Sequence, residues 1–100
     1  MRFFLALLFI LFFNNSFAMA FEKGFNQGWI YNRYGSQWVS GFDLNEFSRN
    51  MDLTRAAGGT MLRYWLFEGY NSDAILWGKN GPEGLKPAFK KNLISVLKIA

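Results

Sequence analysis

The chain has 100 residues, a formal net charge of +4, no cysteine and no histidine. That balance is too mild for a strongly basic nucleic-acid binder, so no nucleic-acid partner is expected. The missing residue types exclude disulfide staples, a histidine-bearing zinc site and a Ser-His-Asp triad, leaving carboxylates to do any acid–base work.

Met1-Arg2 makes a positive start, Phe3 to Phe13 is an unbroken apolar run, and Ala18-Met19-Ala20 puts small residues at the two positions a signal peptidase reads. Residues 1–20 are therefore predicted to be a signal peptide, and residues 21–100 the secreted product, released to the periplasm or medium by cleavage near Ala20. The apolar run is shorter than the about 20 residues that cross a bilayer. No stable membrane anchor is expected, and an uncleaved anchor is the weaker alternative.

Gly24 to Trp29 (GFNQGW) reads as a short strand that opens quickly into a loop. From Ile30 to Phe42, Tyr, Asn, Gly, Ser and Trp follow neither the helical nor the strand period, which predicts a long connection. Asp43 has the character of an N-cap, with Glu46 as a capping-box variant, and Leu44, Phe47, Met51 and Thr54 fall at helical spacing. The helix is expected to run to about Ala57 and to end on Gly58-Gly59.

Thr60 to Phe67 (TMLRYWLF) is rich in β-branched, aromatic and apolar residues on both faces and predicts a buried strand. Glu68 to Lys86, with Gly69, Gly78, Gly81, Pro82 and Gly84, predicts a second long loop holding a short helical turn near Ala74 to Leu76. Asp73 and Glu83 are expected to be solvated there. Pro87 suits the first turn of a helix. Phe89, Leu93, Val96, Leu97 and Ala100 then form one apolar stripe, with Lys90, Lys91 and Lys98 away from it.

Strand, long loop, helix, glycine turn, strand, long loop, helix is the alternation of βα units on a parallel sheet. Long loops after the strands and a minimal turn after the helix match the functional and supporting ends of a βα barrel. The expected fold class is α/β, as the first two βα units of a (β/α)8 TIM barrel. A full barrel takes about 250 residues. Two strands and two helices cannot cover one another, so the chain is expected to be the start of something longer.

None of the eight Trp and Tyr residues falls in a predicted helix. Trp29, Tyr31, Tyr34 and Trp38 follow the first strand, Tyr64 and Trp65 come late in the second, and Tyr70 and Trp77 lie in its loop. A flat apolar face with a hydrogen-bonding rim suits a ligand that is half apolar and half hydroxyl, as a sugar ring is. The competing explanation is that single rings merely pin long loops to the rim.

Alternation places Met61, Arg63, Trp65 and Phe67 on one strand face and Leu62, Tyr64 and Leu66 on the other. A guanidinium inside a buried strand demands a carboxylate, and no acid in the chain is obviously placed to supply one. Alternatively, Arg63 points out between helices and snorkels to water.

Together GFNQGW, FDLNEFSRNMDLTRAAGGTMLRYWLFEG and GPEGLKPAFKKNLISVLKIA resemble the N-terminal portion of cellulase-type (family five) glycoside hydrolases and their relatives in the same barrel clan. The resemblance covers residues 24–100, and AAGGTMLRYWLFEG is its most specific piece. It implies retaining hydrolysis of β-linked sugar chains on a (β/α)8 barrel, with Arg63 matching the arginine that supports the nucleophilic carboxylate. It also implies a catalytic glutamate pair on the fourth and seventh strands, so no catalytic residue is expected within this chain.

Retaining chemistry needs two carboxyls about 5 Å apart. Glu68 is expected to contact substrate or support the loop rather than to be one of them. Asn26, Trp29, Trp38, Arg63, Trp65, Glu68 and Trp77 are the expected substrate-binding or site-supporting residues, with carbohydrate as the partner and neither a metal nor an organic cofactor implied. The alternative is a small secreted carbohydrate-binding protein without catalysis. Against it stands the βα pattern, because stand-alone sugar-binding modules are usually β-sandwiches.

Overall fold

Asp43 adopts extended backbone and its Oδ1 accepts from the Asn45 amide at 3.0 Å, which starts helix α1 (Leu44–Ala56) at the expected N-cap. The computed structural model describes residues 22–69 and 72–100, and there the chain is mixed α/β, with two small sheets and two helices. The expected signal peptide and Tyr70 lie outside the described residues. Glu46 does not close a capping box. Its Oε2 lies 4.0 Å from Arg49 Nη1 and has no hydrogen bond among the described residues, a one-turn ion pair on the helix surface instead.

The end of α1 falls on the glycine pair. Gly58 takes φ +82° and donates to the Arg55 carbonyl at 2.9 Å, while the Gly59 amide donates to the Thr54 carbonyl at 2.8 Å. These are the two bonds of a Schellman motif, and the left-handed residue they need is cheapest as glycine.

Strands β1 (Gly24–Gln27) and β2 (Met61–Tyr64) pair in parallel, Gly24 opposite Met61 through Gln27 opposite Tyr64, with α1 as the crossover between them. The strand is shorter and barer than the expected buried run over Thr60 to Phe67. Leu62, Tyr64 and Leu66 are half-buried, Tyr64 and Leu66 against the core, whereas Met61, Arg63, Trp65 and Phe67 are exposed. The alternation holds within β2, where the helices cover only the face of Leu62 and Tyr64. On β1 Gly24, Phe25 and Asn26 are exposed on both faces, and Phe67, past the end of β2, meets Phe89 with ring centres 5.7 Å apart.

The expected helical turn near Ala74 to Leu76 is replaced by a hairpin. Strands β3 (Ile75–Gly78) and β4 (Gly81–Leu85) pair antiparallel across Lys79-Asn80, with a register shift after Leu76. The signal was the Asn80-Gly81 pair, which suits a tight hairpin turn. Its flanking glycines and proline masked the alternation on either side.

Helix α2 (Pro87–Ile99) begins on its proline as expected. Phe89 and Val96 are buried and Leu93 packs on them, but Leu97 is 65% exposed, so the last turn of the stripe is uncovered. The core joins Ile30, Trp38, Phe47, Ala74, Phe89 and Val96. The Trp38 ring centre lies 4.9 Å from Phe47, 5.8 Å from Phe89 and 6.5 Å from Tyr64. A loop residue is thus the centre of the core, and Asn92 Nδ2 of α2 holds its carbonyl at 2.9 Å. Among the described residues no helix is long and apolar enough to cross a membrane.

Candidate functional site: the carboxyl edge of the parallel strands

Parallel pairing sends both β1 and β2 out at one edge, so residues just before and after that edge converge. Asn26 stands opposite Arg63 in the register, both exposed and on the same face as Trp65. One rung further the Trp65 amide donates to the Gly28 carbonyl at 3.3 Å. A Cβ on Gly28 would lie 3.3 Å from Trp65 ring atoms, so a side chain there would crowd the indole.

Trp29 meets Trp65 edge to face, centres 5.8 Å apart at 64°, and meets Tyr34 at 4.9 Å and 78°. Trp29 is 37% exposed, Trp65 38% and Tyr34 54%. The three rings therefore form one half-open aromatic cluster with flat surface left for a ligand. Next to it Tyr31 adopts a left-handed φ of +48°, uncommon for an aromatic residue, and its hydroxyl accepts from Arg49 Nη1 at 3.0 Å.

Trp38 and Glu68 were expected at this rim and are each only 1% exposed. Trp38 serves the site from beneath: its Nε1 donates to the Trp65 carbonyl at 2.7 Å. Among the described residues neither oxygen of the Glu68 carboxylate has a hydrogen-bond partner. Burial pushes its pKa above the ordinary carboxylate value and the charge of Asp73 adds to this, while the dipoles of its own amide and of Gln37, short of hydrogen bonds, oppose it.

Arg63 is not the buried cation the sequence suggested; it is exposed and makes no ion pair among the described residues. It reaches water from the face opposite the helices, not from between them. Trp77 is half exposed on β3, in the second sheet, and makes no ring contact with the cluster. Asp73, expected in solvent, ties two loops instead. Its Oδ2 accepts from the Ser40 amide at 2.8 Å and the Ser40 hydroxyl at 2.5 Å, and its own amide donates to the Gly35 carbonyl at 2.8 Å. Glu83 is exposed as expected.

Gln37 and Asp73 are the residues that sequence reasoning missed as organisers of this edge. A glutamine in an aperiodic stretch carries no signal of burial, and an aspartate between Ser and Ala reads as ordinary loop. The edge offers aromatic faces, an amide and a guanidinium. It offers no open carboxyl pair, because Glu68 is buried and Asp73 is engaged. Among the described residues no group of three or more His, Cys, Asp or Glu could hold a metal ion. No family model, curated protein or solved structure matches this chain.

Proposed function

We propose that the chain is the carbohydrate-gripping N-terminal part of an exported retaining β-glycan hydrolase, its two βα units being the first of a (β/α)8 barrel. The observation that carries this is the Trp29–Tyr34–Trp65 cluster at the carboxyl edge of a parallel strand pair, beside Asn26 and Arg63 on one face. Ligands of α/β sheets sit outside the carboxyl ends of the strands, and sugar rings stack on such aromatic surfaces while their hydroxyls take amide and guanidinium donors.

Two further features support the barrel. On β2 the face bearing Arg63 is the one the helices leave bare, which in a closed barrel is the interior. A groove of about 450 Å3 lined by Met51, Thr54, Leu62, Tyr64, Val96 and Leu97 lies between the two helices and the start of β2, where a further unit would pack. In this proposal the paired carboxyls belong to later strands and Arg63 supports one of them. The cellulase-type resemblance supplies the substrate class, cellulose- or mannan-like chains, and the sequence of residues 1–20 supplies export.

The burial of Glu68 favours one alternative, a sugar-binding protein without chemistry, because the acid nearest the edge is closed to substrate. Titrating the protein with cellohexaose and mannohexaose while following tryptophan fluorescence tests the shared claim. Saturable quenching that Trp29→Ala and Trp65→Ala weaken is expected, and no response to either sugar would refute it. Hydrolysis by a version extended through later strands separates enzyme from binder.

A further inference from the structure

Beyond the last ladder rung at Gly28 and Trp65 the two strands part, leaving the Ile30 amide and the Trp65 carbonyl without ladder partners. The side chain of Gln37 supplies them. Its Nε2 donates to the Gly28 carbonyl at 3.0 Å and to the Trp65 carbonyl at 2.9 Å, and its Oε1 accepts from the Ile30 amide at 3.2 Å. Gln37 is 1% exposed, so these bonds are shielded from water. A carboxamide is the one neutral side-chain group with two donors and an acceptor in a plane.

We propose that Gln37 is the positioning residue of the aromatic face: it fixes the distance between the strand ends that carry Trp29 and Trp65. The proposal rests on the carbohydrate reading of that face. Trp29 lies between Gly28 and Ile30, both held by the carboxamide. The Trp65 carbonyl is held twice, by Gln37 and by Trp38 Nε1 at 2.7 Å. The two indoles are thereby set edge to face before a ligand arrives, and their ordering does not have to be opposed at binding. A merely structural glutamine would hold one strand to its loop; this one spans both strands on either side of the ring pair.

The test uses Gln37→Met, which keeps length and neutrality without the bonds, and Gln37→Glu, which turns a donor group into a charge facing two carbonyls and the neighbouring buried Glu68 carboxyl, whose own titration Gln37→Met reports separately. Near-ultraviolet circular dichroism of the indole pair is the direct readout. Both variants should lose much of the wild-type signal at neutral pH with far-ultraviolet spectra unchanged. Gln37→Glu alone should recover part of it on acidification, when its protonated carboxyl regains a donor. Cellohexaose or mannohexaose affinity should fall roughly five- to ten-fold, the scale of one buried neutral hydrogen bond.

Wild-type near-ultraviolet spectra in both variants would overturn the proposal. So would free solvent exchange of the Ile30 amide and the Gln37 side-chain amide in the unmodified protein, a measurement independent of whether the variants fold. If the spectra change as expected while no sugar binds even the unmodified protein, Gln37 keeps its positioning role and the carbohydrate reading fails instead.

Discussion

The indole Nε1 of the buried Trp38 donates to the carbonyl of the exposed Trp65 at 2.7 Å, so the centre of the core directly fixes the backbone under the aromatic face. Stability and site geometry are coupled through that one bond. Replacing Trp38 by Phe keeps an aromatic ring against Phe47 and Phe89 but leaves the Trp65 carbonyl with Gln37 alone. A loss of about 1–3 kcal/mol in chemical denaturation is expected, against about 3–5 kcal/mol for Trp38→Ala.

Glu68 supplies a pH dependence whose sign is set by its raised pKa. Folding favours the protonated carboxyl, so the stability from this group is full below the unfolded carboxylate pKa of about 4.3 and is lost as pH rises through the higher folded value. Glu68→Gln should therefore melt higher than the parent at neutral pH, and the gap should close on acidification. Melting curves across that range decide it; a variant less stable at neutral pH would mean that the ionised carboxylate is held by favourable contacts.

Arg63 is exposed and makes no ion pair among the described residues, so Arg63→Ala should change folding stability by less than about 0.5 kcal/mol. Under the hydrolase proposal the same change in a version carrying the catalytic carboxyls should lower turnover by orders of magnitude. Unchanged hydrolysis would remove Arg63 from the site.

At the end of α1, Gly58→Ala forces a Cβ into a φ of +82° although nothing lies within 4 Å of it. The cost is conformational and not steric crowding. A destabilisation of about 1 kcal/mol is expected from equilibrium unfolding, with no effect on the near-ultraviolet signal of the rings.

Residues 21–100 on their own should melt over a broad range. Phe25, Met61, Phe67, Trp77 and Leu97 are each close to half exposed or more, and a two-stranded parallel pair covered mainly over β2 is a small cooperative unit. A sharp two-state transition as a monomer would count against the barrel-fragment proposal.

Local rules were enough for much of the chain. The Asp43 cap, the Gly58-Gly59 stop and the Pro87 start set both helices, and the two-residue alternation sorted Met61, Arg63 and Trp65 from Leu62 and Tyr64, because each depends on groups a few residues apart. The hairpin at Ile75 to Leu85 was hidden among glycines although its turn pair was present. Burial was the part that only the tertiary structure decided. Trp38 in its loop and Trp65 late in its predicted strand read alike as rim aromatics, yet one is the core and the other is half open, because their difference arises where α1, α2 and the strand pair meet. Gln37 and Glu68 went inside and Arg63 stayed out for the same reason: a side chain's exposure is fixed by what packs over it from distant sequence.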